Sequence, residues 1–510
     1  MASRNPRKKR DALVLVLFLC VAVLVLSNGF TARLLAQEKT VDVYREVEPI
    51  GIVLDRILRE YVREVDIQKV VEGALSGMLS SLDRNSSFIN AKELQEMQED
   101  TKGEFEGIGV SIRPDDEGNI IVFYPIPGSP AAAAGIKAFD RIVAIDGKPT
   151  AGMNTQQASE LIRGPRGSKV RLTILRKDRS NAEDPGQQLE IEVQRDKVPL
   201  ESIKEHQILK DKVGYVRISD FKDNTGADLA KHLNAMVQEG IVGLVLDLRW
   251  NPGGLLTASR DVCELFLPKG SLVTYTRGRK DEQGRPNRDD LKLVTTREPV
   301  VPDGLPVIVL VNRHTASSAE IVTGALQFHQ RAIILGEKTF GKGSVQTIIP
   351  LERPANTAMR LTTALYYTPA DVTIDEQGIL PDIELSMTPE SEEALAKQMF
   401  ASFENEPENQ YRQNHGRMTD YPVTDQTVDD TQLLKAWEIL REVPVWADLL
   451  KQYHKDVRET QMSAEEAARR NGQQKDGATE SAAPSSDGDA APEDTPAAPE
   501  TEEEEPVPIP

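Results

Sequence analysis

The stretch from Leu305 to Gln346, LPVIVLVNRHTASSAEIVTGALQFHQRAIILGEKTFGKGSVQ, sets a strand, a hydroxyl-rich turn, a helix, a second strand and a glycine-flanked loop in succession. Pro306 to Val311 is a continuous apolar run that reads as a buried strand, and Ala319 to Gln330 places Ile321, Val322, Ala325 and Leu326 on one side of a helix. Asn312 to Ser318 is the turn between them. Ser317 is thereby expected at the top of a sheet beside a helix N-terminus, whose partial positive charge stabilises a developing oxyanion. Arg331 to Leu335 reads as the next strand, and Lys342 follows on a loop between Gly341 and Gly343. A lysine amine withdrawn from water has a lowered pKa and can serve as a neutral general base, and serine activated by lysine is a known form of nucleophilic catalysis. Each residue alone has a plainer reading, Ser317 as a helix N-cap and Lys342 as a solvated loop side chain. Gly336, Gly341 and Lys342 also match the start of a phosphate-binding loop. That match stops at Gly343, where Ser or Thr is needed, and at Val345 to Ile349, which reads as a strand where a helix is needed.

Upstream, Ile241 to Leu246 reads as another buried strand, followed by Asp247-Leu248-Arg249-Trp250-Asn251-Pro252-Gly253-Gly254. The glycines of that turn leave amide groups bare for an anion, although an ordinary strand-ending turn has the same composition. Asp247 and Arg249 read as a structural pair beside the site. Together with Thr315-Ala316-Ser317-Ser318-Ala319-Glu320 and Gly336 to Gln346, this block resembles the carboxyl-terminal processing peptidases, the tail-specific proteases, with three blocks in that family's order and spacing. The resemblance implies a serine endopeptidase in which Ser317 is the nucleophile, Lys342 the base and Gln346 a supporting residue. It places the oxyanion hole at the N–H groups of Gly253 and Ser318. The family more often has Ser-Ala-Ser-Ala-Ser-Glu at the serine block, so adjacent Ser318 competes for the assignment. The family interval of 25 selects Ser317, since 342 minus 317 is 25.

From Thr101 to Asp196 a glycine loop runs into an alternating strand, Gly103 to Ile112, and Pro127 to Lys137 caps a short helix. Asp140 to Gly147 is a strand closed by an Asp-Gly turn. This region resembles a PDZ domain of the bacterial-protease type. Such domains add a peptide as an extra strand and hold its C-terminal carboxylate in backbone N–H groups, expected here at Gly107, Ile108 and Gly109. Gln157 to Ile162 is the expected groove helix, with Ala158, Leu161 and Ile162 on its apolar side. Arg163 and Arg166 follow, either as solvated turn residues or as a coupling between peptide and protease. A small β-rich packing domain is the alternative for the whole region.

The chain opens with Arg4, Arg7, Lys8, Lys9 and Arg10 before the apolar run Ala12 to Leu26. That pattern orients the remainder across a membrane, as an uncleaved anchor or as a removed signal peptide. Val41 to Glu99 reads as helical, interrupted at Arg84 to Ile89, with Ile50, Val53, Leu54, Ile57, Leu58, Tyr61 and Val62 at helix spacing. The family resemblance makes self-association of this section plausible; packing on the catalytic body is the other reading. Of the net charge of -20, eleven acids against one lysine lie from Lys475 to Pro510, a tail too polar to fold. That balance disfavours nucleic-acid binding. Cys20 and Cys263 form no disulfide framework, and the six histidines show no metal spacing, so neither a metal nor a cofactor is expected. His314 and His329, near Ser317 in sequence, are alternative bases.

The expected architecture is multidomain α/β: a signal-anchor or transmembrane segment at 1–36, an N-terminal helical region at 37–100, a PDZ-like β-rich domain at 101–196, a Ser/Lys protease core with a parallel or mixed sheet at 197–395, a helical C-terminal appendage at 396–465 with a loop at about 404–427, and a disordered acidic tail at 466–510. The expected partners are protein substrates with exposed C-terminal tails, a membrane through the N-terminal helix and a second copy of the chain, with catalysis outside the cytoplasm. The rival from another class is a PDZ scaffold retaining a catalytically dead protease fold.

Overall fold

Six strands carry the catalytic region: β1 (Ile203–Leu209), β2 (Val213–Ile218), β3 (Gly243–Asp247), β4 (Val307–Val311), β5 (Ile333–Gly336) and β6 (Ile383–Glu384), adjacent in that order. β1 is antiparallel to β2, and every later pairing is parallel. Alternate residues explain the unbroken apolar runs. Leu244, Leu246, Val307, Val309 and Val311 meet one apolar cluster, whereas Val245, Ile308 and Leu310 meet another. The first cluster includes α1 (Thr225–Gln238), α2 (Leu256–Cys263) and α3 (Ser318–Phe328), through Leu229, Leu233, Val262, Ile321 and Val322. The second is closed by α4 (Thr431–Glu442), through Leu433, Ala436, Trp437 and Leu440. A strand buried on both faces has no polar side to alternate with, so it reads as a continuous hydrophobic run.

This computed structural model describes residues 42–115, 117–126, 128–177, 184–281, 284–286, 290–401 and 430–453. The anchor expected at 1–36, the loop at about 404–427 and the acidic tail at 466–510 lie outside the described residues. Among those described, no helix is long and apolar enough to cross a membrane. The chain divides into two compact units, Met1–Asn90 with Pro350–Met359, and Ala91–Ile349 with Arg360–Pro510.

In the first unit the helical pattern resolves into Val43–Glu60 and Ile67–Ser80, then the strand Ser87–Ile89. A break at Tyr61 to Asp66 was not legible in the apolar spacing. Asp66 makes it, accepting from the N–H of Gln68 at 3.1 Å and so starting the next helix. The helix Ala91–Lys102, expected with the N-terminal region, belongs instead to the second unit.

The PDZ domain is also in the second unit, with strands in the order Val110–Pro114, Ile120–Pro125, Arg141–Ile145, Lys169–Arg176 and Gln187–Gln194. They bury Ile120, Val122, Ile142, Val170, Leu172 and Ile174 against Ala158 and Ile162 of the helix Thr155–Ile162. That helix begins with a reciprocal capping box between Asn154 and Gln157.

The C-terminal helices, expected as an appendage, form the second cover of the catalytic sheet. Asp430, at the N-cap of α4, bonds Arg249 at 2.7 and 2.8 Å, and the Trp437 indole N–H donates to the Lys210 carbonyl at 3.0 Å. The expected pair Asp247 and Arg249 is fully buried, with a contact of 2.6 Å. Burial by itself would raise the Asp247 carboxyl, but Arg249 outweighs it and holds that carboxyl below its ordinary value.

Candidate active site

The three sequence blocks meet at the ends of β3, β4 and β5. The Ala316 N–H donates to the Asn251 carbonyl at 2.9 Å, and the Phe340 N–H donates to the Thr315 carbonyl at 3.0 Å. The turn after β4 is thus held by the Asn-Pro-Gly-Gly turn on one side and by the lysine loop on the other. The Thr315 hydroxyl adds a bond to the Leu248 carbonyl at 2.9 Å.

Ser317 stands at the N-cap of α3 with φ 56 and ψ -120. A non-glycine residue held there costs about 1–3 kcal/mol and persists only where its surroundings fix it. Glu320 fixes it, for its Oε2 accepts the Ser317 N–H at 2.8 Å. The same Oε2 accepts the Lys342 N–H at 2.9 Å, while Oε1 accepts the Gly341 N–H at 2.7 Å and the Thr339 hydroxyl at 2.6 Å. One buried carboxylate therefore holds the backbone of the expected nucleophile and that of the expected base. Burial raises the Glu320 carboxyl above its ordinary value, and these four donors oppose that rise.

The two candidate serines differ. Ser318 is buried and its hydroxyl donates to the Gly254 carbonyl at 2.9 Å, whereas Ser317 is half-buried. The Ser318 N–H makes no hydrogen bond to the described residues. Gly253 packs directly on this turn, with φ 94, and a Cβ there would lie 2.6 Å from the Ser317 Cβ and 2.9 Å from the Ser318 nitrogen. Its N–H donates to Asn251 Oδ1 at 2.8 Å. The Asn251 amide is itself oriented by a bond from Nδ2 to the Ile218 carbonyl at 2.9 Å. Gly253→Ala is expected to lower kcat/KM on an unstructured protein by about 100-fold or more, because the added methyl displaces the Ser317 turn.

The lysine loop runs into the strand Ser344–Leu351, not into a helix, which removes the phosphate-loop reading. Gly343 must be glycine, since a Cβ would stand 2.4 Å from the Asp375 nitrogen. Gln346 donates to the Ser344 hydroxyl at 2.9 Å and to the Thr362 hydroxyl at 3.4 Å, which sets it on the strand after the lysine and not in a bond to Ser317. Neither histidine serves as a partner to Ser317. His329 Nε2 lies 2.8 Å from the Leu272 carbonyl, and His314 Nε2 lies 4.0 Å from Glu392.

Two residues were not marked by the sequence reading. Glu320 sits three positions after Ser317, the Ser-x-x-Glu spacing of a capping box, and that signal was available. Tyr366 was not signalled at all. It is buried beside Ser317, and its hydroxyl makes no hydrogen bond among the described residues, a condition that costs about 1–3 kcal/mol.

In the PDZ domain, Phe105, Gly107, Ile108, Gly109, Val110 and Ile112 face Ser159, Ile162 and Arg163 across a groove of about 70 Å³. The three residues expected to hold a carboxylate thus line one groove. The helix side is presented by Ser159, Ile162 and Arg163, while Ala158, on the apolar side of the helix as expected, is buried in the domain core. Both arginines are exposed, as solvated turn residues are, and each makes a surface ion pair, Arg163 with Glu99 at 3.1 Å and Arg166 with Asp196 at 2.6 Å.

The sequence profile of peptidase family S41 matches residues 212–385, and that of the PDZ domain matches residues 121–176. The chain is 41% identical over 371 residues to a carboxy-terminal-processing protease of Bartonella bacilliformis, covering 72% of this chain and 80% of that protein. It is 32% identical over 380 residues to the carboxy-terminal processing protease CtpA of Bacillus subtilis, covering 74% and 76%. Among solved structures, a photosystem II D1 C-terminal processing protease is 29% identical with a TM-score of 0.37, covering 66% of this chain and 86% of that one. With a profile match over its catalytic sheet and relatives matched over most of their length, the chain belongs to peptidase family S41, as a serine-type carboxy-terminal processing protease with a PDZ domain.

Proposed function

We propose that this protease works through a Ser317/Lys342 dyad and selects its substrates by a free C-terminal tail held in the PDZ groove. The observation that carries the dyad is Glu320, whose one oxygen accepts from the backbone of both residues. Lys342 takes the Ser317 proton, Ser317 Oγ attacks a peptide carbonyl, and the leaving amine is protonated by Lys342. The tetrahedral oxyanion is held by the Ser318 N–H and by the Gly253 N–H, for which it competes with Asn251 Oδ1. Water, deprotonated by Lys342, then releases the acyl-enzyme. Gln346, two residues along the same face of the strand from Ser344, supports the lysine loop.

In the groove, a substrate strand lies between the segment Gly107 to Ile112 and the helix Thr155–Ile162, and its terminal carboxylate meets the N–H groups of Gly107, Ile108 and Gly109. The basic and apolar N-terminus supports an anchor in the inner membrane, or a removed signal peptide, with catalysis in the periplasm or otherwise outside the cytoplasm. Association of two copies through the N-terminal helices belongs to the same reading. The test uses an unstructured protein ending in an apolar residue, offered with a free or an amidated C-terminus. Cleavage of the free form at least about 10-fold faster supports tail selection; equal rates refute it. Loss of cleavage in Ser317→Ala and in Lys342→Ala supports the dyad, and retained cleavage in either refutes it. Arg163→Ala and Arg166→Ala, assayed on the same tailed substrate, test whether groove occupancy is coupled to cleavage; unchanged activity in both removes that coupling.

A further inference from the structure

Tyr366 lies near the end of the strand Thr357–Tyr367, where its N–H donates to the Gly343 carbonyl at 2.9 Å. Its backbone is therefore fixed one residue beyond Lys342. The ring is 2% exposed, and its hydroxyl has no hydrogen-bond partner among the described residues. Of the side chains that act on that hydroxyl, the charge of Glu320 acts most strongly, followed by the neighbouring Ser317 hydroxyl and then the charge of Asp375. Burial first, and then the Glu320 charge, push the phenol well above its ordinary range, so it keeps its proton and remains a donor. A buried hydroxyl left without a partner weakens the fold and gives nothing back in packing, since a phenylalanine ring would fill the same space.

We propose that the Tyr366 hydroxyl is a positioning group for Ser317: it donates to one lone pair of Ser317 Oγ and so turns the Oγ–H toward the Lys342 amine. The inference rests on the Ser317/Lys342 reading above. Serine Oγ rotates freely about one bond, and a half-buried serine at a strained turn has several staggered positions, of which one presents its proton to the base. A donor fixed to the strand beside the lysine loop selects that position. Tyr366 acts through Ser317 and does not touch substrate.

The test is Tyr366→Phe in the full chain. Expected are a kcat lowered about 10- to 100-fold with KM unchanged, a melting temperature equal to or above that of the unmodified protein, and a matching fall in the rate at which a fluorophosphonate labels Ser317. A purely packing role moves none of these, because the ring is retained. A kcat for Tyr366→Phe within about two-fold of the unmodified enzyme overturns the proposal while Ser317→Ala remains inactive. Retained cleavage by Ser317→Ala overturns the dyad reading and this inference with it.

Discussion

Ser317→Ala and Lys342→Met are each expected to lower kcat by about a million-fold on an unstructured protein substrate, with substrate binding retained. The two losses are expected not to multiply. A serine without its base and a base without its serine are equally inert, so the double variant has the same residual rate as either single one. Lys342→Arg is expected to be as inactive as Lys342→Met, since a guanidinium does not give up its proton and cannot accept that of a serine. The geometry makes these variants interpretable. Glu320 grips the backbone N–H groups of residues 317 and 342, not their side chains, so both turns keep their anchors when the side chains change. Unaltered melting temperatures beside lost cleavage are the expected pair of results. Cleavage by Lys342→Met at more than about a hundredth of the normal kcat would remove the lysine from the role of base and reopen the search for one.

Where the chemistry is local in sequence, it was readable. The strand, turn and helix around Ser317 come within two residues of the expected bounds, because a run buried on both faces and a helix with one apolar side leave direct marks on composition. The interval from Ser317 to Lys342 came from the family resemblance and not from composition. What the residues themselves did not reveal is how the side chains are spent. Gly253 offers an N–H in any sequence reading of Asn-Pro-Gly-Gly, yet here that N–H donates to the Asn251 side chain two residues back. Tyr366 comes to Ser317 only through pairing of its strand, 49 positions away in sequence (366 minus 317). Asp430 is a still longer case. Its helix shows apolar spacing that marks it as packed on something, but spacing does not name the surface, and its place over Val245, Ile308 and Leu310 appears only in three dimensions.

Arg249→Met is expected to destabilise the chain by about 3–5 kcal/mol, a large share of the roughly 5–15 kcal/mol that holds a domain folded. Arg249 is wholly buried between Asp247 and Asp430, with contacts of 2.6 and 2.7 Å, and it also donates to the Gln432 side chain at 3.1 Å. Removing it leaves two carboxylates buried without the charge between them. Tyr215 still donates to Asp247 at 2.9 Å, but a neutral hydroxyl does not replace a guanidinium. The damage reaches the active site, since Asp247 ends β3 four residues before Asn251, and Asp430 starts the helix that covers the sheet. The pH dependence separates this cause from a simple loss of packing. In the unmodified protein the Asp247 carboxyl is held below its ordinary value, so its contribution to stability is present above the unfolded pKa of about 3.9 and is lost as pH falls through the folded value. In Arg249→Met burial prevails and favours the neutral carboxyl, so acidification from pH 7 relieves the variant, while the unmodified protein keeps the Asp247 contribution until the pH falls below the unfolded value. The gap between their melting temperatures should therefore narrow as pH falls from 7 toward 4, and adding Asp247→Asn should recover part of the loss at pH 7. A gap independent of pH, with no recovery in the double variant, would show that Arg249 stabilises the fold by filling space and not by its charge.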